Sequence, residues 1–260
     1  MSTLSARAPR GTIVLLQVAL LAAVLALWEA LARTGAIDPF WVSSPSRLAQ
    51  AFLASLRTGE IVRHLGVTGG EALAGLAVGA IIGIALGLLL GMSRLVGAAL
   101  EPFVIALNAL PRVALAPLII MFVGIGFASK FLLAVSLVVV PMMINTYEGI
   151  RSVDPALVKV MHVYRASRAQ IFLKVLLPNC VPWLFSGLRV SISFAIIGAI
   201  VGELISARAG IGYMIDRAAG DFNVTGMLMP LVVLMLAAFS LDRLVLALSN
   251  ALLRWREAAH

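Results

Sequence analysis

Residues 154–178 read DPALVKVMHVYRASRAQIFLKVLLP, a basic, helix-patterned island between long apolar runs. Asp154 followed by Pro155 is an N-cap followed by a first-turn proline. Ser167 with Gln170 three residues on is a capping-box pattern. Each start signal precedes an amphipathic run: Leu157, Val160, Met161 and Tyr164 in the first, Ile171, Phe172 and Val175 in the second. Pro178 predicts that the second helix stops there, because the residue before a proline is pushed out of helical space. Two short helices back to back in so apolar a chain predict a docking surface.

The surroundings of the island set the class. The 260 residues are 62% hydrophobic and 12% charged, whereas a soluble chain is about 45–50% apolar and about 25% charged. One soluble core of this size cannot bury the excess, so the fold class is an all-α polytopic membrane protein. The net charge of +8 reads as basic loops facing an anionic leaflet rather than a nucleic-acid surface. Cys180 stands alone, which excludes an intrachain disulfide and a CxxC metal site. His64, His162 and His260 are far apart in sequence and suggest no metal centre. Arg7 and Arg10 precede an apolar run over 12–31, and Ala30-Leu31-Ala32 resembles a cleavage site. A secretory signal has an apolar core of only about 7–15 residues; this run has bilayer length and predicts a retained first helix.

About six transmembrane helices are predicted, over 12–31, 64–91, 100–123, 128–147, 180–205 and 224–250. Residues 1–63 hold the first of them and an external amphipathic segment opened by Ser44-Pro45-Ser46, with Leu48, Phe52 and Leu56 as its stripe. Residues 64–250 form the main transmembrane domain with the island, and 251–260 a cytoplasmic tail. The basic residues set the orientation. Arg7, Arg10, Arg94, Arg151, Lys159, Arg165, Arg168, Lys174, Arg254 and Arg256 outnumber Arg33, Arg47, Arg57, Arg63, Lys130, Arg208 and Arg217. This modest bias puts the island and both termini in the cytoplasm.

Within the spans, Gly75, Gly79, Gly83, Gly87 and Gly91 recur every fourth residue, with Glu71 in the same register. Such ribbons let helices approach closely in lipid, either as static packing or as a sliding surface. The third span holds Pro102, Pro111 and Pro117, and the fourth Pro141. Proline costs about 3 kcal/mol inside an ordinary helix and is tolerated in membranes where neighbours or a cavity satisfy the freed carbonyls. Asn108 and Arg112 flank these breaks and Asn145 follows Pro141. The three are candidate pathway-lining residues, unless Arg112 snorkels to an interface. Arg189 and Glu203 sit near opposite ends of the fifth span, which predicts interfacial rather than paired charges.

The order of short words resembles the permease subunit of bacterial binding-protein-dependent ABC importers, and most nearly the nitrate, taurine and aliphatic sulfonate group. The words are Ala114-Leu115-Ala116-Pro117-Leu118, Phe122-Val123-Gly124-Ile125-Gly126 with Ser129-Lys130, Asn145-Thr146, and Gly149-Ile150-Arg151 with Val153-Asp154. There follow Ala166-Ser167 with Gln170, Leu177-Pro178, Gly187-Leu188-Arg189, Glu203-Leu204-Ile205 and Gly210-Ile211-Gly212-Tyr213. Trp28-Glu29 and Ser44-Pro45-Ser46 extend the match, which covers nearly the whole chain. The family's Glu-Ala-Ala signature falls on Lys159, Val160 and Met161, and its glycine on Arg165, so all four positions depart from the pattern. Glycine there serves a left-handed turn. Either this turn is not left-handed, or Arg165 occupies it at about 1 kcal/mol for a contact with an acidic partner patch.

The resemblance implies a type I ABC importer permease-like fold in the bacterial plasma (inner) membrane. It implies that Leu157, Lys159, Val160, Met161, Tyr164, Arg165, Ala166 and Ser167 couple to a cytoplasmic ATPase. It further implies a second permease copy as a homodimer and an extracytoplasmic solute-binding protein. No cofactor is bound by this chain on that reading; ATP and Mg sit on the partner ATPase. Besides lipid and these proteins no partner is implied, nucleic acid included. The expected solute is a small anion such as a sulfonate, taurine or nitrate, with an aromatic acid or a pyrimidine-type precursor as the alternative. An intramembrane enzyme would need a nucleophile with its base, or metal ligands, at depth; no such set is visible. A secondary transporter usually shows internal repeats, and none is found.

Overall fold

The computed structural model describes residues 10–253; Arg7, Arg254, Arg256, His260 and most of the expected tail lie outside them. Every regular element among the described residues is helical. In order these are α1 (Arg10–Arg33), α2 (Pro39–Val42), α3 (Pro45–Arg57), α4 (Glu60–Met92), α5 (Arg94–Ala109), a 3-10 turn (Arg112–Leu115) and α6 (Ala116–Val123). There follow α7 (Phe127–Arg151), α8 (Pro155–Val163), α9 (Arg168–Ile171), a π turn (Phe172–Leu176), α10 (Leu177–Ser206), α11 (Ile211–Gly220) and α12 (Val224–Leu252). Among the described residues five helices are long and apolar enough to cross a membrane, or six when α5 and the helix after it count as one bent span.

The chain forms two compact units, Met1–Ile61 with Ile215–Leu231 and Val62–Met214 with Val232–His260. In the first, α3 starts as its sequence predicts: Ser44 is the N-cap, accepting from the Arg47 N–H, and Pro45 opens the helix. Glu29 of α1 accepts hydrogen bonds from the Ser46 N–H (3.0 Å) and hydroxyl (2.8 Å), tying α1 to α3.

In the second unit α7 is the central helix. Gly75, Gly79, Gly83, Gly87 and Gly91 of α4 meet Ala134, Val138, Met142, Thr146 and Ile150 of α7 in step, so these helices run parallel. A Cβ at any of the five would come closer than 3.0 Å to α7; the ribbon is a close-packed seam. α10 packs against α7 as well: Gly198 and Gly187 of α10 meet Ala134 and Asn145 in reverse order, and Gly149 of α7 meets Cys180. α10 is therefore antiparallel to α7. Apolar burial fills the remainder, with Ala72, Leu76, Val138, Met142, Ile192, Ala195, Ala199 and Val245 in one cluster.

Two expectations are corrected. Pro178 does not stop the helix: residues Arg168–Ser206 run as one helical stretch of 39 residues. The π turn at Phe172–Leu176 opens the backbone where the proline ring would clash with the carbonyl four residues back. Nor do Arg189 and Glu203 share an interfacial character. Arg189 pairs with Asp242 of α12 in a two-pronged contact at 2.7 and 3.0 Å, while Glu203 is only 1% exposed.

Candidate coupling and translocation site

The island stands on a sewn base. Asn179 of α10 donates to the Gly149 carbonyl (3.1 Å) and the Ser152 hydroxyl (3.0 Å) at the end of α7. Asp154 caps α8 by accepting from the Ala156 N–H at 2.8 Å, with Pro155 in the first turn. The Ser167–Gln170 capping box opens α9, with bonds of 2.8 and 3.3 Å.

Between the two helices the chain turns through Arg165, whose φ is +53°. The Ala166 N–H reaches the Met161 carbonyl (3.0 Å), and the Arg165 N–H reaches that of His162 (2.9 Å). This is the Schellman pattern, which normally takes glycine at its left-handed residue. The turn is thus left-handed, and Arg165 holds it at a cost of about 1 kcal/mol.

α8 buries none of its residues. Leu157, Val160, Val163 and Tyr164 are exposed, the last two to 80%. Lys159, Arg165 and Ser167 are exposed as well, and Met161 and Ala166 half-buried. Lys159 also lines a cavity of ≈ 710 Å³ with Arg151, Glu101 and the α4–α5 junction. The sequence pattern therefore places all eight coupling candidates around one short helix and its cap, with a continuous apolar strip facing outward.

The pathway candidates separate into two groups. The third span breaks at Leu110–Pro111 and bends by 74°. Arg112, first in the 3-10 turn, is half-buried, donates to the Ser136 carbonyl at 3.0 Å, and lies 3.5 Å from Asn108 Oδ1. Its Nε finds no acceptor among the described residues. Asn108 is exposed and lines a cavity of ≈ 180 Å³ with Glu101, Tyr147 and Glu148. Asn145 is elsewhere: it donates to the Pro141 carbonyl at 2.9 Å and abuts Gly187 in the α7–α10 seam. Among the described residues no cluster of three or more His, Cys, Asp or Glu is placed to hold a metal.

At the pole of this unit opposite the island lies a polar cluster that sequence patterns missed. His64, Thr68, Glu71, Lys130 and Glu203 are all buried. Glu203 accepts from the Thr68 hydroxyl (2.7 Å) and the Gly212 N–H (2.6 Å). Thr68 Oγ accepts from the Ile211 N–H (2.7 Å), and His64 Nδ1 from the Gly210 N–H (2.9 Å). Lys130 donates to the Ser206 carbonyl at 2.7 Å. Glycine is required at Gly210, where φ is +116° and an added Cβ would collide with the Glu203 carboxylate. A carboxylate ahead of a glycine-flanked helix start was the available signal.

The chain is similar to several known proteins. The profile of the family described as binding-protein-dependent transport system inner membrane component matches residues 79–254. The formylaminopyrimidine transport permease protein ThiX of Halalkalibacterium halodurans is 30% identical over 234 residues, 90% of this chain and 93% of that protein. The taurine transport system permease protein TauC of Escherichia coli K12 is 28% identical over 255 residues, 96% of this chain and 92% of that protein. Among solved structures, the inward facing MetNI methionine ABC transporter aligns with a TM-score of 0.63 at 20% identity, covering 74% of this chain and 94% of that one.

Proposed function

Because the chain belongs to the family of inner membrane components of binding-protein-dependent transport systems, we propose that residues 154–178 are where force enters it from an ATPase. The chain is a non-catalytic permease subunit of an ATP-driven importer, and ATP is hydrolysed by its partner. The observation that carries the coupling role is the unburied apolar strip of α8, rooted by Asn179 to the end of the central helix. An exposed strip of this kind marks a protein contact. Seated in a cleft of the ATPase, α8 would pass motion into α7 and α10 at their common end.

The transport domain comprises residues 64–250, with 1–63 adding a first span and an outer segment, and both termini cytoplasmic. Two copies form the pathway, as the exposed Phe103, Ile105, Leu107, Met121 and Phe122 on the bent third span suggest. The extracytoplasmic partner is a solute-binding protein. The solute is a small anion of the sulfonate, taurine or nitrate kind, supported by the likeness to TauC and by the uncommitted Nε of Arg112 beside the break. A pyrimidine-type solute is the second reading. It is favoured by the likeness to ThiX and by the Glu101 and Glu148 carboxyls beside Asn108, which suit an uncharged or amine-bearing ring better than an anion.

Co-purification tests the importer role: the permease brings an ATPase with it and supports ATP-driven uptake in proteoliposomes. A permease recovered alone and inactive with every ATPase offered would contradict it. A thermal-shift screen of the binding protein encoded beside this chain decides between the solutes.

A further inference from the structure

α11 lies between the fifth and sixth spans, on the outer side if the importer reading holds. A helix leaves its first N–H groups without intrahelical partners. Here three successive ones, those of Gly210, Ile211 and Gly212, go to His64, Thr68 and Glu203. All three side chains are buried, and they come from the adjoining ends of α4 and α10. The Glu203 carboxylate also sits at the positive end of the α11 dipole. His64 stacks on Tyr213 in the first turn of α11, with ring centroids 5.8 Å apart.

The far end of α11 repeats the geometry of the island. Phe222 N–H bonds the Ala219 carbonyl and Asn223 N–H that of Ala218, again a Schellman cap. Its left-handed residue is Phe222, with φ +52°, and its side chain is 75% exposed. A strained, exposed aromatic in a turn is a reason to look for a function. Asp216, Arg217 and Asp221 around it are exposed too.

We propose that Glu203, Thr68 and His64 are positioning residues that lock the first turn of α11 to the outer ends of α4 and α10. Load applied to α11 from outside then enters the glycine-packed block of α4, α7 and α10 and reaches α8. The block is suited to this: both seams of α7 are filled at backbone contact, and close-packed interiors transmit strain. The coupling is reciprocal, so trapping nucleotide on the ATPase changes the setting of α11.

This rests on the importer reading, and the test separates the two. The complete permease–ATPase complex carries Arg217→Cys as a reporter at an exposed position of α11; the native Cys180 is buried. The maleimide labelling rate is measured with and without ATP plus vanadate. With Thr68 intact, trapping is expected to change the rate about five-fold or more. Thr68→Val loses both the acceptor for Ile211 and the donor to Glu203, and the change is expected to vanish. Thr68→Ser keeps the hydroxyl and restores it. His64→Ala against His64→Asn repeats the comparison at the neighbouring contact. An unchanged rate in the parent, or a full response in both Thr68→Val and His64→Ala, overturns the inference. So does failure of all four variants to assemble, since the contacts would then serve the fold alone. Absence of trapped nucleotide in the parent complex strikes the importer reading instead.

Discussion

α8 and α11 each connect two spans, and they are stabilised in opposite ways. Both end in a Schellman cap with a non-glycine residue at positive φ, Arg165 in one and Phe222 in the other. Their beginnings differ. α8 is capped only by its own Asp154 and buries no residue. α11 has its first N–H groups taken by buried side chains of two distant helices. A helix held by its own local bonds and showing an apolar face is built to be completed by another protein. A helix whose start is locked into the bundle is built to move with it.

The largest effect that tests this contrast is at Glu203. Glu203→Leu strands the Gly212 N–H and leaves the Thr68 hydroxyl only its longer 3.3 Å bond to the His64 carbonyl. The expected loss is about 2–4 kcal/mol, the cost of removing the buried acceptor of two hydrogen bonds. It is read as a lower melting temperature of the purified permease. At α8 the combined change Val160→Ser and Tyr164→Ala leaves that melting temperature nearly unmoved, since surface changes stay within about 0.5 kcal/mol. It weakens ATPase binding by about 2 kcal/mol or more, the scale of an interface hot spot. Equal destabilisation by both variants would erase the distinction.

Between the poles, Arg112→Ala removes a cation whose hydrogen bonds are worth about 1.5–3 kcal/mol. If Arg112 lines an anion path, uptake falls about tenfold while ATPase assembly persists; normal uptake counts against it. The smallest effect sharpens the likeness of the two caps. Arg165→Gly and Phe222→Gly each relieve about 1 kcal/mol of left-handed strain. Hydrogen exchange at residues 161–166 and 218–223 is expected to slow in the respective variant. Only Arg165→Gly should weaken the ATPase contact, if that charge meets an acidic patch.

Much of this was legible in local sequence. Helix starts at Asp154, Ser167 and Ser44 rest on side chains bonding backbone two or three residues away, and all three bonds are present. The apolar runs indicate the spans, and of the three prolines in the third span it is Pro111 that sits at the break, while Pro102 stays inside α5. The path through Pro178 was not legible, because a π turn is a choice among backbone alternatives that proline alone does not reveal. The clamp was illegible for a different reason. Thr68 and Glu203 are 135 residues apart, and periodicity carries no information about such pairings. A charge near a span end suggests an interface until the structure supplies its buried donors. Arg189 with Asp242, 53 residues apart, was missed for the same reason.

Force can pass from an ATPase through this chain only if the coupling island and the α11 clamp face opposite sides of the membrane. Lys159→Cys and Arg208→Cys permeases, with Cys180 buried, can be treated with a membrane-impermeant maleimide in right-side-out and inverted vesicles. The expected result is labelling at position 159 only in inverted vesicles and at position 208 only in right-side-out ones. Labelling at position 159 from the outside would leave no route for an ATPase to reach α8, and would contradict the transport mechanism as a whole.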